Sequence, residues 1–164
     1  MQVLNQYQIT HKIARLAYEI LEKNDEEQTI ILAGINNNGY RFAELLGQKL
    51  LSISDKKILL SHIILNPAMP VDFPIHIDRS KDELENSCLI IIDDVANTGR
   101  TLFYAFKVLM NILMKKVEVA VLVDRKHKLF PIKVDYVGLS LATTMQEHII
   151  ANLKDSAQMT VTLN

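Results

Sequence analysis

Leu89-Ile90-Ile91-Ile92-Asp93-Asp94-Val95-Ala96-Asn97-Thr98-Gly99-Arg100-Thr101 is the stretch from which the rest of the chain is read. Its first four residues are apolar and mostly β-branched, the pattern of a strand buried on both faces. Two carboxylates end the strand. After a short turn, Leu102, Phe103, Phe106, Leu109, Met110 and Leu113 recur at helical spacing, which predicts a helix starting near Gly99 and these residues as core candidates.

The same alternation continues on both sides. Upstream, Ile9, Ile13, Leu16, Ala17, Ile20 and Leu21 give one apolar helix face, closed by Asn24-Asp25-Glu26-Glu27. Thr29 to Ala33 reads as a strand, Gly34 to Gly39 as a turn, Tyr40 to Leu51 as a helix and Ile58 to Leu65 as a strand. Pro67, Pro70 and Pro74 then predict a loop with an edge strand near Ile75 to Ile77. Downstream, Val117 to Val123 reads as a strand and Asp124-Arg125-Lys126-His127-Lys128 as a charged loop. Tyr136 to Leu139, Glu147 to Leu153 and Met159 to Leu163 read as short strands. Strands alternating with helices predict an α/β fold with a mostly parallel sheet covered on both faces. In such sheets ligands bind at the carboxyl ends of the strands. That edge collects three loops: Gly34 to Gly39, Asp93 to Thr101 and Asp124 to Lys133.

The Asp93 to Thr101 loop has the chemistry for a sugar phosphate. A helix start offers unpaired N–H groups and a positive dipole end to an anion. Gly99 allows close backbone approach, and Thr98 and Thr101 add hydroxyl donors. Asp93 and Asp94 would repel that anion but accept hydrogen bonds from a neighbouring diol. The plainer alternative makes Asp94 a turn residue and Thr98 a helix cap. A phosphoacceptor receiver would carry paired acids near its first strand, and a P-loop needs Gly-x-x-x-x-Gly-Lys-Ser/Thr, which is absent.

Bulk properties narrow the setting. With 164 residues, 49% apolar and 23% charged, the chain suits one domain spanning residues 1–164. A net charge of -1 gives no global attraction to nucleic acid or anionic lipid. The single cysteine, Cys88, lies in the apolar strand, so neither a disulfide nor a nucleophile is expected there. The first residues lack the basic and apolar regions of a signal peptide, and no run suits a membrane span, so a cytoplasmic setting is expected. His11, His62, His76, His127 and His148 show no paired metal-ligand spacing.

Asp93 to Thr101 closely resembles the phosphoribosyl-diphosphate signature of type I phosphoribosyltransferases: two acids, then Thr-Gly-Arg-Thr. Ala120 to Lys128, Pro131-Ile132 and Asp135-Tyr136-Val137-Gly138 resemble the branch that joins uracil phosphoribosyl transfer to attenuation of pyrimidine operons. Ile13 to Ile20 is similar to its first helix, and Gly34-Ile35 followed by Gly39 to its pyrophosphate loop. The resemblance implies a type I phosphoribosyltransferase fold with a small hood. It implies phosphoribosyl transfer from the diphosphate to a nucleobase, most readily uracil, as in nucleotide salvage.

By that resemblance, Asp93 and Asp94 hold the ribose hydroxyls and serve catalysis, and Ala96, Asn97, Thr98, Gly99, Arg100 and Thr101 cradle the 5-phosphate. Asn36, Asn37, Asn38 and Gly39 form the pyrophosphate loop. Asp124, Arg125 and Val137 border the base, although Asp124-Arg125 also reads as a solvated pair. Mg²⁺ comes with the diphosphate rather than through a side-chain cluster. A homodimer or higher oligomer is implied. Arg15, His127, Lys128 and Lys133 keep a basic character at positions matching RNA contacts, while Ala14, Tyr18 and Leu139 replace polar or basic residues.

Two departures stand out. Asn37-Asn38-Gly39 stands where the family carries Thr-Arg-Gly, and an amide lacks a guanidinium's charge and fork. Ser61 to Pro67 matches the family's flexible hood but holds no charge. Two alternatives to transfer therefore stand beside it: a sensor that binds the diphosphate or a nucleotide without turnover, and an RNA-binding attenuation protein.

Overall fold

The computed structural model describes residues 1–144 and 146–164. Asn5 opens the first helix, α1 (Gln6–Lys23), with a capping box: its side chain accepts from the Gln8 backbone, and Gln8 returns a bond to the Asn5 N–H. Ile9, Ile13, Leu16, Ala17 and Ile20 are buried, so the predicted face is the packed one. Before it lies β1 (Gln2–Leu4), three residues too short to show a periodicity. Strand β2 (Thr29–Ile35), helix α2 (Asn36–Ile53), β3 (Lys57–Ile64), β4 (His76–Ile77) and the single turn α3 (Lys81–Leu84) follow. Next come β5 (Cys88–Ala96), α4 (Arg100–Ala105) with a 3-10 turn over Phe106–Leu109, β6 (Lys116–Arg125), β7 (Tyr136–Leu141), β8 (Ile149–Asn152) and β9 (Thr160–Leu163).

The main sheet has the order β4-β3-β2-β5-β6-β7 and is parallel except for β4 at one edge. From β2 the chain runs outward to β3; from β5 it runs outward the other way to β6 and β7. The order reverses between β2 and β5, and the loops leaving those two strands flank a ready crevice. Two apolar cores lie on the two faces. One gathers α1, α2 and β8 with Ile90, Ile92 and Leu122; the other gathers α4 with Leu89, Ile91 and Val121. Successive residues of β5 serve opposite cores, which is why this strand reads as unbroken Ile and Leu.

Strands β1, β9 and β8 form a separate antiparallel sheet, with β8 near β5. This sheet is the hood, built from both ends of the chain. It replaces the expectation that Ser61 to Pro67 supplies a flexible cover. Ser61 to Ile64 belong to β3; Ser61 to Ile63 pair with β2 from Ala33 to Ile35 and Ile64 with His76 of β4, so ladder bonds fix them.

Two further expectations are corrected. Gly34 to Gly39 is not a turn: Gly34 and Ile35 complete β2, and Asn36 to Gly39 are the first turn of α2. The third helix stops short, because the 3-10 turn has three residues per turn and loses the 3.6-residue phase. Met110 and Leu113, beyond that turn, are exposed as a result, at 72% and 76%, and Phe103 within α4 is on its outer side, at 41%. Cys88 behaves as expected: it is buried, donates to Asn24 Oδ1 at 3.3 Å, and burial pushes its thiol up to about 11.

Candidate functional site

Strand β5 carries Asp93 and Asp94 to the carboxyl edge of the sheet. Asp93 is buried and Asp94 half-buried. Burial, reinforced by the charge of Asp94, pushes the Asp93 carboxyl well above the usual carboxylate range. The pair therefore does not hold two full negative charges cheaply. Asp93 Oδ1 accepts from the Asp94 N–H at 2.9 Å, and Asp94 Oδ1 from the Val95 N–H at 2.9 Å. Asp94 Oδ2 accepts from Asn38 Nδ2 at 3.1 Å.

Beyond the acids the chain reverses through Gly99, which has φ +87° and ψ 0°, a left-handed conformation natural to glycine. Among the described residues, the N–H groups of Thr98, Gly99 and Thr101 find no protein acceptor. Ala96 to Leu102, with Asp93, enclose a recess of about 40 Å³. Helix α4 is only six residues long, so these convergent N–H groups, rather than a macrodipole, make the recess suited to an anion. The Thr98 carbonyl accepts from the Leu129 N–H at 2.9 Å, which anchors the loop to the segment after β6.

A cavity of about 520 Å³ adjoins it, lined by Asp93, Asp94, Asn97 and Thr101, by Asn36 to Asn38, and by Ile149 to Ala151. Helix α2 points its N-terminus at this cavity. Ile35 caps it without a side-chain bond and its first turn holds no acid, so N–H groups and the positive dipole end are presented to the crevice. Asn36 takes φ +49° there, held by Leu65 N donating to its Oδ1 at 3.0 Å and by His62 Nε2 donating to its carbonyl at 2.9 Å. Gly34 and Gly39 let this turn sit close against the sheet. A Cβ on Gly34 would lie 2.3 Å from Tyr40 Cα, and one on Gly39 2.6 Å from the Ile92 carbonyl.

Asp93, Asn97 and Thr101 line both the larger cavity and the recess; Asp94 and Asn36 to Asn38 line the cavity alone, and Ala96, Thr98, Gly99 and Arg100 the recess alone; Gly39 lies beneath, buried. Arg125 reaches the loop, donating from NH1 to Asn97 Oδ1 at 3.3 Å. Asp124 is occupied by Lys128 Nζ. Val137 is not brought to the cavity: its carbonyl accepts from Arg15 NH2 at 2.7 Å, on the α1 side. Of the cations expected to meet RNA, Arg15 and Lys128 are engaged within the chain, while Lys133 and His127 stay exposed. Arg15 also bonds the Gly138 carbonyl at 2.8 Å and pairs with Glu19 at 3.3 Å; Lys128 pairs with Asp124; Lys133 pairs with Asp135 at 3.5 Å; His127 is exposed. The residues that sequence reading did not place here form the apolar wall Ile149 to Ala151. Their alternation marks a strand but not the sheet it joins.

An acid pair ending a central strand, a nest of N–H groups after it and a second anion-facing turn at the switch point together suit a sugar that carries phosphate groups. The family model described as "Phosphoribosyl transferase domain" matches residues 1–153, and the chain belongs to that family. It is 30% identical to the Bifunctional protein PyrR of Enterococcus faecalis, over 94% of this chain and 90% of the relative. It is 31% identical to that of Fusobacterium nucleatum, over 93% and 90%. Its fold is similar to the crystal structure of the hypoxanthine phosphoribosyltransferase of Trypanosoma cruzi, with a TM-score of 0.79, 15% identity and coverage of 98% of this chain and 95% of that one. Among the described residues, no helix is long and apolar enough to cross a membrane.

Proposed function

We propose that this chain transfers a phosphoribosyl group from phosphoribosyl diphosphate to a nucleobase, with uracil the leading acceptor. The observation that carries this reading is the pairing, across the recess and the cavity that adjoins it, of the Asp93-Asp94 acids with the Thr98, Gly99 and Thr101 N–H groups. The recess takes the 5-phosphate and the acids accept from the ribose hydroxyls. A base nitrogen then attacks the anomeric carbon: the C–N bond forms as the C–O bond to the diphosphate breaks, the diphosphate leaves with the electron pair, and the proton of the attacking nitrogen passes to solvent. Positive charge that develops on the sugar is favoured by the adjacent carboxylates.

The leaving group would meet the N-terminus of α2 and the amides of Asn37 and Asn38. That helix end supplies part of the attraction a guanidinium would give. Mg²⁺ would neutralise the diphosphate. Among the described residues no group of three or more His, Cys, Asp or Glu could hold a metal alone. The oxygen donors at the cavity, Asp93, Asp94 and the asparagine amides, fit a hard cation that keeps waters and takes phosphate oxygens. The base would lie against Ile149 to Ala151, an apolar wall suited to a flat ring.

A sensor that binds the diphosphate or a nucleotide without turnover is the second reading. It is favoured by the lack, among the described residues, of any Lys or Arg lining the larger cavity. An RNA-binding role has less support, because Arg15 is held by the Val137 and Gly138 carbonyls and Lys128 by Asp124, which leaves the exposed Lys133 and His127 as the remaining pair of that set. The test is release of pyrophosphate from phosphoribosyl diphosphate with Mg²⁺ and uracil. Transfer predicts release above an Asp93→Asn/Asp94→Asn control. Release equal to that control, with the diphosphate still bound in calorimetry, would replace transfer by sensing.

A further inference from the structure

We infer that Asn97 is a specificity residue that donates a hydrogen bond to the base, and that Arg125 is the positioning residue that makes it a donor. The inference rests on the phosphoribosyl reading of the cavity and adds which chemical edge of the base the site selects. Asn97 is exposed and lines the cavity; Arg125 does not line it. A guanidinium has only donors, so the amide must turn its oxygen towards it. Arg125 NH1 donates to Asn97 Oδ1 at 3.3 Å. The other end, Nδ2 with two N–H groups, finds no protein acceptor among the described residues, on a side chain that lines the cavity.

Arg125 is itself fixed. Its Nε donates to Thr143 Oγ1 at 2.6 Å and its NH2 to the Thr144 carbonyl at 2.7 Å. Glu147 in turn accepts from the Thr144 N–H at 2.6 Å and from Thr144 Oγ1 at 3.0 Å. The segment held this way leads into the Ile149 to Ala151 wall. One side chain thus ties the base wall to the phosphate loop and sets the direction of the Asn97 amide. A base lying on that wall is selected for a carbonyl oxygen or an unprotonated ring nitrogen facing Asn97, and an amino group there is opposed.

The experiment compares ribose 5-phosphate with UMP and IMP by calorimetry, taking whichever nucleotide binds more tightly as the probe. The ratio of its affinity to that of ribose 5-phosphate is the contribution of the base. In the unmodified protein this ratio is expected to exceed one. In Asn97→Ala, Asn97→Asp and Arg125→Gln it is expected to fall about fivefold, the worth of one neutral hydrogen bond, with ribose 5-phosphate affinity unchanged in Arg125→Gln. Asn97→Asp keeps the shape but offers no donor, so a purely steric role would leave the ratio intact. A ratio that survives in all three variants, or that equals one in the unmodified protein, overturns the inference. Failure of ribose 5-phosphate itself to bind would instead overturn the phosphoribosyl reading.

Discussion

Replacing Gly99 with alanine tests the phosphate loop through its backbone alone. The residue sits at φ +87° and ψ 0°, and its added Cβ would meet Ile132 and Lys128 side-chain atoms at 3.4 Å, an ordinary contact. The cost is therefore conformational. A left-handed L-residue is disfavoured by about 1–2 kcal/mol, and alanine returns about 0.4–1 kcal/mol by having fewer unfolded conformations. The net penalty is about 1 kcal/mol, shared between two observables. If the free loop stays left-handed, the whole penalty appears as lost stability, roughly 2–4 °C in melting temperature. If the free loop relaxes, the penalty appears when phosphate restores it, as an affinity loss of about fivefold. The sum of the two free-energy losses is the invariant. Thermal melts and calorimetry with ribose 5-phosphate measure both. Gly99→Asn should lose less than Gly99→Ala, because asparagine tolerates positive φ. An alanine variant as stable as the unmodified protein, with unchanged affinity, would refute the claim that this conformation is required and used.

Three other changes probe separate parts of the molecule. Asp93 holds its proton more tightly in the folded chain than in the unfolded one, so stability is lost as pH rises from about 4 through the raised folded value. Asp93→Asn should remove that loss, and urea unfolding at pH 5 and pH 8 should show its advantage widening with pH; a constant gap would contradict the burial argument. Asn38→Arg places a cation at the turn facing the cavity and beside Asp94, 3.1 Å from the present amide. Diphosphate affinity should rise and become more salt-sensitive, and an unchanged value would mean that Asn36 to Gly39 do not meet the diphosphate. Tyr136→Phe removes the hydroxyl that bonds both Glu118 oxygens at 2.9 Å, leaving Asn24 at 2.9 Å and Lys116 at 3.8 Å. Leaving that carboxylate short of a donor should cost about 1–3 kcal/mol in chemical unfolding, without change in ribose 5-phosphate affinity.

What the sequence made legible was what local pattern controls. The continuous apolar run of β5 announced a strand with a core on each side, and its acid pair, turn and following helix announced the loop. The apolar face of α1 was equally local. Contacts made at long range were not legible. Arg15 binds carbonyls more than a hundred positions away, at Val137 and Gly138, and no neighbour of Arg15 in sequence signals those bonds. The hood joins Gln2–Leu4 to Ile149–Asn152 and Thr160–Leu163, so its existence depends on both chain ends meeting. Gly34 and Gly39 misled for a different reason. Glycine marks turns when positive φ is needed, but these two serve close packing of a helix start on a sheet.

The most direct test of the central claim is a crystal structure of the protein with phosphoribosyl diphosphate and Mg²⁺. The 5-phosphate is expected within hydrogen-bond distance of the Thr98, Gly99 and Thr101 N–H groups, with the ribose hydroxyls on Asp93 and Asp94 and the diphosphate at the start of α2. A bound ligand whose 5-phosphate lies elsewhere, with the Asp93 to Thr101 loop uncontacted, would contradict the phosphoribosyl assignment of this loop.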